Sequence, residues 1–165
     1  MELPRLVRAG WPISVEASEV AEAPTSVVWA LITDWERQGD WMLEASHFTV
    51  TSEKREGIGV EAEATIRIGG IKTRDKVRVS GWEPNKRLAI DHRGWVTGHG
   101  EIVLTPLPGD RTHISWREEL DPPLGLAGAV GLTGFRPMMK RIFRRDLRVL
   151  ATLARTTAHP RASPS

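Results

Sequence analysis

The sequence has 165 residues, enough for one domain with a substantial core, and 23 Lys and Arg against 21 Asp and Glu give a formal charge of only +2. It contains no Cys, which excludes a disulfide framework, a thiolate nucleophile and a cysteine metal site, and no Tyr, which excludes a phenol as a catalytic acid. The N-terminus has no signal-peptide core and no apolar run approaches the roughly 20 residues that span a bilayer, so we expect a soluble, cytoplasmic protein.

The first quarter of the chain predicts an irregular lead, one strand and two short helices. Residues 1–13 show no regular pattern, whereas residues 14–23 alternate weakly, as a strand does. Thr25 or Ser26 can cap a helix, because a side-chain oxygen there accepts a hydrogen bond from a free backbone N–H. Gly39 interrupts the pattern, which predicts a break at residues 37–40 and a second helical turn at 41–43.

From residue 47 onward the hydrophobic period changes to two, which is typical of β-strands. We predict strands over residues 47–56, 58–68, 71–82, 87–93, 96–105 and 111–120. The connections are short, and Gly69–Gly70 is the clearest hairpin signal, so neighbouring strands are predicted to be antiparallel. With the first strand, the sheet has about seven strands.

The chain ends in a long amphipathic helix, predicted to begin at Pro137 because proline suits a first helical turn. At about 100° per residue its apolar side chains share one face, and its basic side chains share the other: Lys140, Arg141, Arg144, Arg145, Arg148 and Arg155. A sheet is the natural partner for the apolar face. The predicted fold class is therefore α+β, a curved antiparallel sheet around a C-terminal helix.

Asp146 interrupts the apolar face of this helix. A carboxylate there must have a partner or face water, because an unpaired buried charge is very costly. Two interpretations are open. Asp146 has a local partner or a backbone N–H, or the helix faces a partly polar cavity.

Strand alternation places further polar residues in the inward phase: Thr73, Asp75, His92 and Glu118. Apolar walls with a few placed polar groups are typical of a small-molecule pocket. His92 beside Asp75 or Glu118 is also a candidate catalytic base. The alternative is that a β-bulge reverses a strand's phase and exposes these residues to solvent.

The predicted ligand-binding residues combine these polar groups with apolar walls and a tryptophan that follows the helix break. They are Trp41, Ala62, Ala64, Ile66, Thr73, Asp75, Val77, Val79, Ile90, His92, Trp116, Glu118, Met138, Ile142 and Asp146. The small side chains of Ala62 and Ala64 leave room in the middle of the sheet. No cofactor is expected, and no metal, because His92, Asp75 and Glu118 have no recognisable ligand spacing. For most tryptophans, plain core packing is the alternative.

The segment 124–135 is apolar and rich in glycine, which weakens a helix. Three interpretations are open: a gate over a pocket mouth, a poorly packed connection, or a weak contact with a membrane surface, helped by the basic helix face. We expect no nucleic acid as a partner, since the basic side chains lie where a solvated face is expected and no nucleic-acid-binding motif accompanies them.

Several local patterns resemble the START-like (SRPBCC) superfamily, and within it the polyketide cyclase/dehydrase and lipid-transport family. The matching residues are Ala23-Pro24, Val28-Trp29, Leu31, Asp34, Trp41, Trp82-Glu83-Pro84, Arg87-Leu88, Gly109-Asp110-Arg111-Thr112, Ile114 and Trp116. The resemblance covers residues 14–157 and implies the helix-grip fold. The residues themselves predict the two short helices after strand 1 and a disordered tail at 158–165. It implies a cavity for hydrophobic small molecules between sheet and helix. No catalytic signature matches, so no catalytic residue is carried over.

Three functional hypotheses follow. The first is a binding module for a lipid, fatty acyl or polyketide-like compound. The second is a cyclase or dehydratase in which His92 removes a proton and Asp75 or Glu118 orients it. The third is an interaction protein with a collapsed cavity, for example a homodimer formed through exposed tryptophans or the apolar segment.

Overall fold

The computed structural model describes residues 12–68, 70–121 and 125–160, the last range without the side chains of 125–133 and 135. The first elements are β1 (Ile13–Ala21), α1 (Thr25–Thr33) and a 3₁₀ helix (Trp35–Asp40). Six strands follow: β2 (Ala45–Val50), β3 (Glu61–Ile68), β4 (Ile71–Glu83), β5 (Arg87–Arg93), β6 (Thr97–Leu107) and β7 (Arg111–Asp121). The helix α2 (Gly125–Ala158) closes the chain.

The seven strands form one antiparallel sheet in the order β1-β7-β6-β5-β4-β3-β2. The predicted α+β class, with a sheet around a long C-terminal helix, is confirmed. The β4–β5 register shifts between Val79 and Gly81. Because this bulge follows Val79, it leaves the inward phase of residues 73–79 unchanged.

The core lies between the inner face of the sheet and the apolar face of α2. Phe143 stacks on Trp116 of β7 with ring centroids 4.0 Å apart, and Leu147, Leu150 and Ala154 are fully buried below it. The basic side chains of α2 that the sequence assigns to the opposite face are exposed. Within the described residues, none of the helices combines the length and the apolar character that crossing a bilayer requires.

The predicted start of the last helix at Pro137 is wrong, because α2 begins at Gly125 and contains Pro137. An internal proline removes one backbone hydrogen bond, and each helical glycine costs about 1 kcal/mol. Extending an existing helix regains a hydrogen bond for each residue added, so these costs do not end it. The segment 124–135, for which a gate, a poorly packed connection and a membrane contact were open interpretations, is therefore helical from Gly125 onward. Leu124 and the side chains of 125–133 and 135 lie outside the described residues.

Several predicted boundaries are also wrong by a few residues. The 3₁₀ helix occupies residues 37–40, where a break was expected, and residues 41–43 form no helical turn. Pro24 is the N-cap of α1, without the side-chain cap expected from Thr25 or Ser26. Residues 51–60 form a loop, in which Gly57 and Gly59 adopt positive φ angles of 86° and 94° that end the strand pattern. Residues 1–11 and 161–165 lie outside the described residues, so the disordered tail stays a prediction.

Candidate ligand-binding site

A cavity of about 280 Å³ lies between the inner face of the sheet and α2. Most of its wall is aliphatic or aromatic, including Ile66, Val77, Leu88, Ile90, Ile102, Trp116, Met139, Ile142 and Phe143. Ile71 and Trp95 also line it, and they are 55% and 58% exposed. They therefore mark its mouth, beside the β3–β4 hairpin and the β5–β6 turn. The interior is not collapsed, contrary to what the interaction-protein hypothesis expects.

Three polar side chains from three strands meet in the cavity wall. Nδ1 of His92 on β5 lies 2.8 Å from Oδ2 of Asp75 on β4. Nε2 of His92 lies 2.9 Å from Oε2 of Glu118 on β7. The indole Nε1 of Trp116 donates to Oε1 of Glu118 at 2.8 Å. Asp75, His92, Glu118 and Trp116 form what we call the polar cluster, and its three titratable side chains are only 20%, 14% and 5% exposed.

Gly100 in β6 allows this cluster to form, because β6 lies between the strands of His92 and Glu118. The register pairs His92 with Gly98, and Gly100 with Glu118. A Cβ atom on Gly100 would lie 2.5 Å from both carboxylate oxygens of Glu118. The missing side chain therefore gives the Glu118 carboxylate the space in which it reaches His92.

The contacts of His92 determine its protonation state. Burial by itself lowers the pKa of His92, but the hydrogen bonds with Asp75 and Glu118 raise that pKa to about 10. His92 is therefore an imidazolium at neutral pH, with each ring N–H donating to a carboxylate. An imidazolium has no free lone pair, which argues against His92 as a general base.

A second polar group lies on the helix side of the cavity. Asp146 lines the cavity and is 2% exposed, and its Oδ1 accepts a hydrogen bond from Nη2 of Arg145 at 3.1 Å. Arg145 also donates to Glu44. Burial, and then the nearby charge of Glu44, raise the pKa of Asp146 to about 6, against the opposing effects of Arg145 and the Leu43 backbone. Both interpretations of Asp146 thus hold: it has a local partner and it faces the cavity.

Replacing Asp146 by Asn is expected to remove a pH dependence of stability. The folded pKa of about 6 exceeds the ordinary value of 3.8, so between these values the folded state binds more protons and stability falls as pH rises. The stability difference, wild type minus Asp146→Asn, should decrease by about 2 kcal/mol across that range. Urea denaturation at several pH values measures it. Parallel pH curves for the two proteins would contradict this account.

The structure places ten of the predicted ligand-binding residues in the cavity wall: Ile66, Thr73, Asp75, Val77, Ile90, His92, Trp116, Glu118, Ile142 and Asp146. Their roles in ligand binding remain predictions. In the described part of the chain, no group of three or more His, Cys, Asp or Glu side chains is arranged to hold a metal ion.

Five predicted residues do not line the cavity: Trp41, Ala62, Ala64, Val79 and Met138. Trp41 packs edge-on against Trp116, with centroids 5.7 Å apart, and so lies behind the wall. Ala62, Ala64 and Val79 are almost completely buried and contribute no cavity surface. The described wall residues on α2 are Met139, Ile142, Phe143 and Asp146, which share one face of the helix. Met138 lies outside this face.

The sequence prediction missed the two inward glycines of β6 and the wall residues that precede β3, such as Met42, Glu44 and Phe48. A signal for the glycines was present. In the stretch TGHGEIVL, within the predicted strand 96–105, Gly98 and Gly100 share the alternation of Ile102 and Leu104, which places them on the inner face.

The sequence matches a known protein family. A family model described as "Polyketide cyclase / dehydrase and lipid transport" matches residues 12–155. No curated protein matches the sequence significantly.

Several solved structures share the fold. The protein TTHA0849 of Thermus thermophilus has a TM-score of 0.76 at 17% identity, over 88% of this chain and 99% of its own. The Zhui aromatase/cyclase of Streptomyces sp. R1128 has a TM-score of 0.70 at 16% identity, over 91% and 98%. A START superfamily protein of Mycobacterium smegmatis has a TM-score of 0.66 at 16% identity, over 88% and 96%. At these identities the likeness shows the fold alone.

Proposed function

Because the chain belongs to the polyketide cyclase/dehydrase and lipid-transport family of the START-like helix-grip superfamily, we propose that its cavity binds a hydrophobic or amphipathic small molecule. The proposed ligand is a lipid, a fatty acyl compound or a polyketide-like compound. One observation carries the proposal: an open, mostly apolar cavity whose wall contains the polar cluster.

The dimensions and chemistry of the cavity suit this role. Its volume of about 280 Å³ is close to the lower end of the roughly 300–1,000 Å³ typical of ligand pockets. Ile90, Trp116 and Phe143 offer an apolar surface to the body of a ligand. Asp75, His92 and Glu118 provide buried polar atoms that would orient a polar end.

Native mass spectrometry of the protein purified from its own host is the first test. A reproducible adduct that is lost on denaturation would support the proposal and give the compound class.

A fluorescence titration with the uncharged probe N-phenyl-1-naphthylamine is the second test. Saturable binding of this probe is expected, since its aromatic body matches the wall.

Narrowing the cavity from both sides should weaken that binding. Ile90→Trp on β5 and Ile142→Trp on α2 together add two large side chains to opposite walls, so we expect the affinity for the probe to fall by about tenfold or more, equivalent to roughly 1.4 kcal/mol. The matched control carries Val20→Trp and Leu43→Trp, at positions that are 37% and 52% exposed and outside the cavity. Equal binding by both double variants would refute a ligand site in this cavity.

A cyclase- or dehydratase-type enzyme is the second candidate, favoured by the polar cluster, because buried groups with perturbed pKa values concentrate at active sites. The geometry alters the roles expected from the sequence. His92 would donate a proton or a hydrogen bond to an oxygen of the substrate, and Asp75 or Glu118 would accept the proton that leaves a substrate carbon. Incubating the compound recovered from the host with wild type and with His92→Gln tests this. Turnover by wild type alone, detected as loss of water in the product mass for dehydration or as a changed chromatographic retention for cyclisation, would favour the enzyme.

A further inference from the structure

The hydrogen-bond donors of the polar cluster are already used. Both ring N–H groups of His92 donate to carboxylates, and the indole N–H of Trp116 donates to Glu118. The atoms of the polar cluster that can still form hydrogen bonds with a ligand are mainly acceptors. Among the described residues, no donor contacts Oδ1 of Asp75, and each Glu118 oxygen has a further lone pair. Thr73 also lines the wall, and its hydroxyl, which makes no hydrogen bond to the described residues, can donate or accept.

The charges around the cavity point the same way. Five wall residues are acidic: Glu44, Asp75, Glu101, Glu118 and Asp146. Within the described part of the chain, only His92 and Arg145 contact the four other than Glu101 as cations.

Arg74 and Glu101 are also charged wall residues, but each lies near an oppositely charged side chain that does not line the cavity. The Arg74 side chain is 74% exposed and lies near Glu63. Glu101 pairs with Arg87 at 2.6 Å. A ligand carboxylate or phosphate would meet like charge in a site with few free donors.

We infer that the cavity selects a neutral or cationic ligand whose polar end donates hydrogen bonds, such as an alcohol, a phenol or an amine, and rejects anions. This inference rests on the proposed binding function and narrows its ligand class. A donating group can bond to Asp75 and Glu118 without displacing His92. An anionic end cannot, because placing like charges side by side is strongly unfavourable in a desolvated site.

Three compounds with one skeleton test the inference: 2-naphthalenemethanol, 2-naphthylmethylamine and 2-naphthoate. They present a hydroxyl, an ammonium and a carboxylate on the same aromatic body, and each competes with N-phenyl-1-naphthylamine at neutral pH. The alcohol and the amine should displace the probe with affinities about tenfold or more above that of 2-naphthoate.

Charge-neutralising variants identify the source of the selectivity. Asp75→Asn combined with Glu118→Gln keeps the shapes but removes two negative charges, and should bring the three affinities within about threefold of one another. The control, Glu61→Gln with Glu63→Gln, removes two charges from β3 residues that lie outside the cavity wall, and should leave the selectivity unchanged.

The possible failures are distinguishable. Absence of saturable probe binding would overturn the proposed function itself. Probe binding with 2-naphthoate equal to or stronger than the other two compounds would overturn the charge inference alone. Failure of the alcohol and the amine to displace a bound probe would also overturn the charge inference alone.

Discussion

Replacing His92 by Gln is expected to lower the free energy of unfolding by roughly 3 kcal/mol at neutral pH, which is the scale for breaking a buried ion pair. Gln has no positive charge and cannot donate to Asp75 and Glu118 as the imidazolium does. The two carboxylates, 20% and 5% exposed, would then face each other without a cation between them. Their repulsion and poor hydration would destabilise the folded state.

The pH dependence gives this prediction a distinct signature. The pKa of His92 rises from 6.5 to about 10 in the folded protein. Its stabilising contribution is therefore complete below about pH 6.5 and is lost as pH rises toward 10. The stability difference between wild type and His92→Gln should shrink across that range. Urea denaturation followed by tryptophan fluorescence measures both proteins at each pH.

A second histidine–carboxylate pair provides the matched control. Nδ1 of His99 lies 3.0 Å from Oδ1 of Asp91, but these side chains are 44% and 42% exposed. His99→Gln should cost less than about 1 kcal/mol, since solvent screens exposed pairs. Equal losses for the two variants, or a His92→Gln loss that does not change between neutral and alkaline pH, would show that His92 is not held as a buried imidazolium.

The part of the site that strand alternation could predict is the set of inward polar residues. Thr73, Asp75, His92 and Glu118 all line the cavity because the strands that carry them keep a strict period of two where these residues occur. The β4 bulge follows Val79, so it does not disturb the phase. Had the bulge preceded Asp75, the same reasoning would have placed the wrong residues inside.

The contact of His92 with both Asp75 and Glu118 could not be predicted from the sequence pattern. Its partners are 17 and 26 residues away, and contact depends on strand register and on the space above β6. The protonation state depends in turn on those contacts. For this reason the sequence suggested a general base, whereas the geometry gives a proton-bearing imidazolium.

The other errors arise where tertiary packing overrides local signals. Proline and glycine predicted a helix start at Pro137, but α2 continues back to Gly125. The wall on α2 contains Met139 rather than Met138, because the rotation of the helix about its axis is set by packing. The predicted two-faced character of α2 was correct, since periodicity alone determines it.

Gly100→Ala is expected to disrupt the polar cluster although it adds a single methyl group. The new Cβ would lie 2.5 Å from both Glu118 oxygens and 2.7 Å from its carboxyl carbon. Glu118 is held by His92 and Trp116 and is almost completely buried, so it can move only by losing these hydrogen bonds. We expect a loss of about 2–3 kcal/mol in the free energy of unfolding, as in overpacked interiors.

The same substitution elsewhere isolates the effect of position. Gly134 lies in α2, and a Cβ there would meet no atom of the described residues within 4 Å apart from the adjoining helix backbone and its chain neighbours. Gly134→Ala should raise the free energy of unfolding by about 0.5–1 kcal/mol, the helix-propensity difference between the two residues. Opposite signs for the two glycine variants are thus expected from chemical denaturation, and a loss at both positions would point to a general intolerance of the added methyl group.

A double-mutant cycle then tests whether Glu118 is the group that Gly100 accommodates. Glu118→Ala removes the carboxylate, so a Cβ at position 100 no longer has its close contacts. In that background Gly100→Ala should cost at least about 1 kcal/mol less than in wild type, a coupling typical of residues in contact. Equal costs in the two backgrounds would mean that the strand backbone, rather than the carboxylate, requires glycine. A large coupling would mean that Gly100 is needed to keep Glu118, and through it the charge of His92, at the cavity wall.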